Sequence, residues 1–214
     1  SIAYTYTEPT IFFEYAYDTA QLAHQEGIAN IYVTNGFMTG EMLQAFDPYL
    51  DAANVDLKAF RDETYRRYVG GRLQPVLDSL KAMKELGIWV EVTTLVIPDI
   101  NDDEDELRDA ARFVAQELGP ETPWHISRFH PGYHMRHVAP TPLATLRRAL
   151  EIGKEEGLRY VFVGNVPGEA NTECHACGEL LIRRSGYRIL GNHVASGQVC
   201  PNCGTPVAGV GLAG

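Results

Sequence analysis

The sequence predicts an α/β fold built on a parallel sheet, with a small cysteine-bearing module at the C-terminal end. Three observations carry this. Short β-branched and aromatic runs alternate with helical patterns as far as Val166. The helical segments end alike, in HQEGIANIYV, KELGIWVEV, QELGPETPWHI and KEEGLRYVFV: an amphipathic tail, a glycine suited to left-handed backbone, then an apolar strand-like run. All four cysteines lie between positions 174 and 203, where the composition changes. Such alternation gives parallel strands covered by helices, either doubly wound or part of a barrel.

Taken in order, strands are expected at 2–6, 30–33, 53–56, 88–96, 123–128 and 159–163. In the first, Ile2, Tyr4 and Tyr6 alternate with Ala3, Thr5 and Thr7 until Glu8-Pro9 breaks the run. The run IWVEVTTLVI is apolar on both faces for part of its length, as buried parallel strands are. Between strands, Leu73, Val76, Leu77, Leu80, Met83 and Leu86 make one helical face, and Leu107, Ala110, Ala111, Val114 and Leu118 another. Thr141-Pro142 predicts an N-cap with proline at the first helical position, and the acids of 101–106 suit a helix N-terminus. After Val166 the stretch PGEAN reads as a linker, dividing a barrel-like unit, 1–168, from a four-cysteine module, 169–214.

Composition removes several functions. A formal charge of −10 and no Lys/Arg cluster beyond pairs such as Arg66-Arg67 and Arg147-Arg148 exclude a nucleic-acid partner. No run reaches the ~18 apolar residues of a membrane span, and no basic leader precedes an apolar core, so no membrane partner and a cytoplasmic location are expected. No G-x-G-x-x-G or P-loop pattern is present to cradle phosphate.

The cysteines are the sharpest local signal. Cys174-His-Ala-Cys177-Gly and Cys200-Pro-Asn-Cys203-Gly each bring two thiolates to one turn, and the glycine lets the backbone bend behind them. Two such turns give the tetrahedral sulfur set of structural zinc, which leaves no open coordination position. An iron site of rubredoxin type, an auxiliary iron–sulfur cluster or paired disulfides are the other readings. The intervening ELLIRRSGYRILGNHV is expected to form a hairpin spanning the two turns.

Chemistry in parallel α/β folds gathers at the carboxyl ends of strands. Those positions hold Thr7-Glu8, Thr34-Asn35-Gly36, Asp56-Leu57-Lys58, Thr93-Thr94, Ser127-Arg128-Phe129-His130 and Gly164-Asn165. Each has an ordinary structural reading: Glu8 a helix cap, Asn35-Gly36 a turn, Asp56 and Lys58 an ion pair, Thr93 and Thr94 plain strand residues. His125, His130, His134 and His137 fit no helix face and read as scattered loop histidines. What raises the set above these readings is its recurrence at nearly every strand end.

The blocks YTYTEPTIFFEYAYD, VTNGFMT, YLDAANVDLKAF, WVEVTTLVIPDIND, PWHISRFHP and YVFVGNVPG, followed by the CxxCG/CPxCG tail, resemble the radical S-adenosylmethionine (SAM) superfamily. The likeness is closest to enzymes like pyruvate formate-lyase activating enzyme, and within them to the radical SAM component of the AmmeMemoRadiSam system. It implies a partial (β/α)6 TIM-like barrel in which a C-x-x-x-C-x-x-C loop holds a 4Fe–4S cluster. SAM is then reductively cleaved to a 5′-deoxyadenosyl radical that abstracts hydrogen from substrate, here a protein or peptide. By the same resemblance Tyr6-Thr7-Glu8-Pro9 takes the place of the motif holding the SAM amino group. Asn35 lies near the ribose, Asp56 and Lys58 form the Asp-x-Lys that contacts SAM, and His130 lies near the adenosine. Val163 to Val166 lie near the adenine. Two positions depart from the pattern: Val33 stands where Asp is frequent, and Thr93 where an Arg helps bind the carboxylate. No C-x-x-x-C-x-x-C occurs in the sequence. The chain is therefore expected to be a C-terminal portion of such an enzyme, lacking the barrel's first strand and inactive alone. The competing reading is a non-catalytic barrel scaffold that docks a partner through its zinc ribbon.

Overall fold

The computed structural model describes residues 1–168, 170–186 and 188–212; the expected unit boundary falls at Glu169, outside the described residues. Six strands, β1 (Ile2–Tyr4), β2 (Asn30–Thr34), β3 (Ala52–Asp56), β4 (Trp89–Val96), β5 (Trp124–Arg128) and β6 (Val161–Gly164), form one sheet. Every neighbouring pair is parallel, and the spatial order equals the chain order. Each strand therefore crosses over to its immediate neighbour in the same sense, and right-handed crossovers then place all helices on one face. A doubly wound sheet reverses its order at a switch point. None occurs here, so of the two sequence-based alternatives the partial barrel holds.

The helices covering the outer face are α1 (Phe13–Gln25), α2 (Gly40–Phe46), α3 (Asp62–Thr64), α4 (Leu73–Glu85), α5 (Glu104–Phe113) and α6 (Leu143–Glu155). Single π-helical turns follow α3 at Tyr65–Val69 and α5 at Val114–Leu118. In β4 the pleat separates Val90, Val92, Thr94 and Val96, buried under the helices, from Trp89, Glu91, Thr93 and Leu95 on the inner face. Val76, Leu80 and Met83 of α4 join Val55, Val90 and Val92 in the main core. Burying each such side chain contributes about 1.5–3 kcal/mol. Trp124 is fully buried and donates its indole N–H to Thr94 Oγ1 at 3.0 Å. Gly153 lets α6 approach it: a Cβ there would meet Val161 at 2.9 Å and Trp124 at 3.1 Å.

Two boundaries differ from the sequence expectation. Strand β1 stops at Tyr4 rather than continuing to Tyr6, whose φ of +37° turns the chain out of the sheet. Thr141 does not cap α6; Pro142 occupies the cap position. Thr141 is fully buried, its hydroxyl accepting from Phe129 N–H at 2.9 Å and donating to the Val96 carbonyl at 2.6 Å, which ties the loop after β5 to the end of β4. The acids of 101–106 behave as expected, with Asp103 accepting from the Asp105 and Glu106 amides at 3.1 Å at the start of α5.

The tail forms a separate antiparallel sheet of β7 (Thr172–Glu173), β8 (Leu180–Ser185) and β9 (Arg188–Asn192). The expected hairpin is β8–β9; Tyr187, between the two strands in sequence, lies outside the described residues. Its own core is small: Cys174, Leu181, Ile182, Val194, Cys200 and Val207. The tail packs beneath the N-terminal ends of the barrel strands. Ala208 N–H donates to Tyr160 Oη at 3.2 Å, and His175 meets the Tyr160 ring edge-on at 6.3 Å. Among the described residues no helix is long and apolar enough to cross a membrane.

Candidate functional site

Glu8 is the hub of the C-terminal end of the barrel. It caps the 3-10 turn Pro9–Phe12, accepting from Thr10 N–H at 3.2 Å and Thr10 Oγ1 at 2.7 Å, so its structural reading is fulfilled. It does more than cap. Oε1 also accepts from Thr34 Oγ1 at 2.6 Å, and Oε2 from Asn35 N–H at 2.8 Å, joining the ends of β1 and β2. A carboxylate has about four acceptor positions. Oε2, with one donor, keeps room for another.

The β2 loop is held in shape by its own residues. Thr34 Oγ1 accepts from Gly36 N–H at 3.1 Å, and Asn35 Oδ1 from Phe37 N–H at 2.8 Å. Gly36 has φ +73°, and a Cβ there would stand 2.7 Å from Val55 and 3.1 Å from Val76. Only glycine fits that turn against β3 and α4.

Past β3, Lys58 Nζ pairs with Asp56 Oδ2 at 2.5 Å, both side chains about one-third exposed. The Lys58 backbone is gripped from two directions. Its N–H donates to Tyr65 Oη at 3.1 Å, and its carbonyl accepts from Asn101 Nδ2 at 2.7 Å. Burial pushes the Tyr65 phenol up to about 12, so it stays protonated. Neither Tyr65 nor Asn101 was singled out from sequence. Each acts on Lys58 from a different segment, Tyr65 from the π-helical turn after α3 and Asn101 from the loop before α5, and no local pattern marks such a contact.

Glu8, Asn35 and Lys58 line one cavity of about 320 Å³, with Thr10, Ile11, Phe37, Tyr65, Val69 and Val76 as further walls. A few polar residues among apolar walls are the usual make-up of a small-molecule site. The other expected residues lie elsewhere. Thr7 is exposed outside this cavity, and Asp56 reaches it through its pair with Lys58. Thr93 lies on the inner face of β4, bonded to Asn54 Oδ1 at 2.8 Å. His130, past β5, sits with Nε2 3.2 Å from the Asn165 carbonyl.

The four cysteines form the second site. Their sulfurs lie within 4.8 Å of one another, with Cys174–Cys203 and Cys177–Cys200 both at 3.7 Å. A tetrahedron with metal–sulfur bonds of ~2.3 Å has edges of roughly 3.8 Å, so the set fits one tetrahedral ion. The two turns share one geometry. Gly178 N–H donates to Cys174 O at 2.8 Å and Gly204 N–H to Cys200 O at 2.9 Å, while Cys174 and Cys200 donate to the carbonyls five residues on, both at 2.8 Å. The thiols of the set are shifted in opposite directions: the Thr205 hydroxyl and amide pull Cys203 down to about 6, while burial pushes Cys200 up to about 11.

Comparison with known proteins bears on the family and the fold. The family model described as the Radical SAM superfamily matches residues 1–113, just over half of the 214-residue chain. An uncharacterized protein of Methanocaldococcus jannaschii is 49% identical over 185 residues, covering 86% of this chain and 55% of that protein. The chain thus spans about half the length of that curated relative. A domain of pyruvate-formate lyase-activating enzyme from Bacteroides vulgatus superposes with a TM-score of 0.65 at 18% identity, over 77% of this chain and 98% of that one. Streptococcus suis SuiB bound to precursor peptide SuiA gives 0.59 at 15% identity, over 74% of this chain and 36% of that one. At such identities the structural likeness speaks for the fold.

Proposed function

The chain belongs to the radical SAM superfamily, and from that premise we propose that residues 1–168 form the SAM-holding part of a radical SAM enzyme of the activating-enzyme type. The single observation that carries the reading is the convergence of Glu8, Asn35 and Lys58, from three successive strand ends, on one cavity. These residues fit SAM. The open acceptor position of Glu8 Oε2 suits the methionine ammonium, Lys58 suits a carboxylate or hydroxyl, and Ile11, Phe37 and Val69 offer an apolar wall. Thr7, Asp56, Thr93 and His130 remain proposed contacts of a ligand larger than this cavity. In the whole protein, SAM held here would supply the radical chemistry of the superfamily, with Glu8 and Lys58 of this chain holding its polar end.

The residues present do not fit the 4Fe–4S cluster. Residues 1–173 contain no cysteine, and the tail's four belong to the opposite end of the strands. Five residues of strand at ~3.3 Å each put roughly 15 Å between those ends. We therefore place the cluster ligands outside this chain. Two features support a further strand–helix unit beside β1. Strand β1 pairs with β2 and with no other described strand. Helix α1 uses Phe13, Tyr17 and His24 against Phe46 and Tyr49, leaving Tyr15 (71% exposed) and Leu22 (65% exposed) on its opposite flank. Radical chemistry on a protein or peptide substrate is proposed for the whole protein; the bound peptide of SuiB supports the class.

For residues 169–214 we propose a zinc ribbon. Four thiolates on one tetrahedron close the coordination sphere, and the small core needs the metal to fold. Metal analysis of the purified chain should return one zinc and no iron–sulfur absorption. The SAM reading is tested by calorimetric titration with SAM and with 5′-methylthioadenosine, which lacks the amino-acid end. Glu8→Gln should weaken SAM about 10–100-fold, the cost of a charge-assisted hydrogen bond, and leave methylthioadenosine unchanged. Equal loss of both, or no loss of either, would remove Glu8 from SAM recognition.

A further inference from the structure

A cavity of about 510 Å³ lies at the other end of the strands, between the barrel floor and the tail. Its body is apolar, with Ile31, Trp89 and Phe162 from the barrel facing Ile182 and Leu212 from the tail. Of the polar side chains in its lining, Asp51 is spent on the Asn30 N–H at 2.7 Å, Tyr160 accepts from Ala208 N–H at 3.2 Å and Thr172 accepts from Arg184; Asn54, Glu91 and Arg184 are the ones the argument turns on.

Their partners leave a specific set of unused valences. Glu91 is anchored at each oxygen, Oε1 accepting from the Trp89 indole N–H at 3.2 Å and Oε2 paired with His125 Nε2 at 2.7 Å. The His125 ring is itself stacked on Phe162, with centroids 5.3 Å apart. Arg184 has its own partners, one Nη donating to Thr172 Oγ1 at 2.5 Å and to the Ala170 carbonyl at 3.5 Å. The guanidinium and the Glu91 carboxylate feel each other's charge, but each has its hydrogen bonds elsewhere. Asn54 Oδ1 accepts from Thr93, so its amide nitrogen is the end left to donate. The cavity thus offers cationic and amide donors from Arg184 and Asn54, an anionic acceptor from Glu91, and no net charge from the Arg–Glu pair. A carboxylate head would satisfy Arg184 and oppose Glu91; an ammonium would do the reverse. A neutral amide satisfies both, its carbonyl accepting and its N–H donating.

We propose that this floor cavity is a binding site for a small molecule with an apolar, flat body and an amide head, held jointly by the barrel and the tail. It is independent of the SAM reading, because it shares no residue with the cavity around Glu8. The test titrates the zinc-loaded chain with three near-isosteric probes, indole-3-acetamide, indole-3-acetate and tryptamine, by ligand-observed NMR. The amide should bind saturably and at least about tenfold tighter than the acid or the amine, a difference of about 1.4 kcal/mol. Arg184→Met and Glu91→Gln should each weaken it by a similar factor. Val210→Trp, a change at an exposed position of the rim, should block binding while leaving circular dichroism unchanged. Absence of saturable binding by any probe would overturn the site. So would acid or amine binding tighter than the amide, or affinities indifferent to all three variants.

Discussion

The two candidate sites of this chain are built on opposite plans. The four-cysteine site is made of two short turns with the same hydrogen bonds, and its ligands are four identical soft atoms. The barrel site draws a carboxylate, an amide and an amine from three strand ends, with Glu8 and Asn35 27 positions apart in the chain. One site has ready-made halves but almost no core behind it, so in the proposed reading a metal holds the module together. The other has no local logic, yet rests on a core of six strands and six helices that fixes it without a ligand. The difference teaches where stability comes from: ligand-supplied in the tail, fold-supplied in the barrel.

Removing the metal is the hardest blow to that contrast. Chelation, or Cys200→Ser, should unfold the tail and leave the six-stranded sheet intact. Structural zinc contributes ~10–16 kcal/mol to such modules. Amide exchange should lose protection between Thr172 and Val207 and keep it in β2 to β5; loss in both would show the two units to be one. Next in size, Gly36→Ala should destabilise the barrel by about 1–3 kcal/mol, because its Cβ would stand 2.7 Å from Val55. Thermal melting should detect it, and metal content should not change.

Glu106 sharpens the point by pH. Burial raises its pKa, only partly offset by the Phe60 N–H that its Oε1 accepts at 2.6 Å and by the charge of Arg61, while Asp103 and Asp109 raise it further. A carboxyl with a raised folded pKa disfavours the native state once it must ionise, so its contribution worsens as pH rises from the unfolded value through the folded one. Glu106→Gln, which keeps an acceptor for Phe60, should gain stability relative to the parent between pH 4 and 7 by denaturant titration. No such trend would remove Glu106 as a buried titrating group. The smallest effect is expected at Arg148, whose pairs with Glu104 and Glu155 are exposed. Arg148→Met should cost no more than about 1 kcal/mol, less still in high salt.

What could be read from the sequence follows the same division. Both cysteine turns stood out because their geometry is local, and the glycine-ended helices announced the parallel sheet for the same reason. The barrel site was only partly legible. Glu8, Asn35 and Lys58 were marked by position at strand ends and by resemblance, but Tyr65 and Asn101, which clamp the Lys58 backbone, come from a π-helical turn and a loop, 7 and 43 residues away. Thr141 failed as a helix cap because its hydroxyl is spent on β4 and the β5 loop, a tertiary use that outweighs local propensity. The floor cavity was invisible for a simpler reason: Glu91 and Arg184 belong to different units, and nothing in either segment points to the other.

The shared geometry of the two cysteine turns also bears on rates. Each turn is a complete two-sulfur claw on its own, and β8–β9 holds the claws face to face. An arriving ion can be caught by either claw, after which the tether presents the other at high effective concentration. Departure has to run in reverse, with the hairpin yielding before the second claw lets go. The lifetime of the bound ion is then set by how often β8 and β9 part.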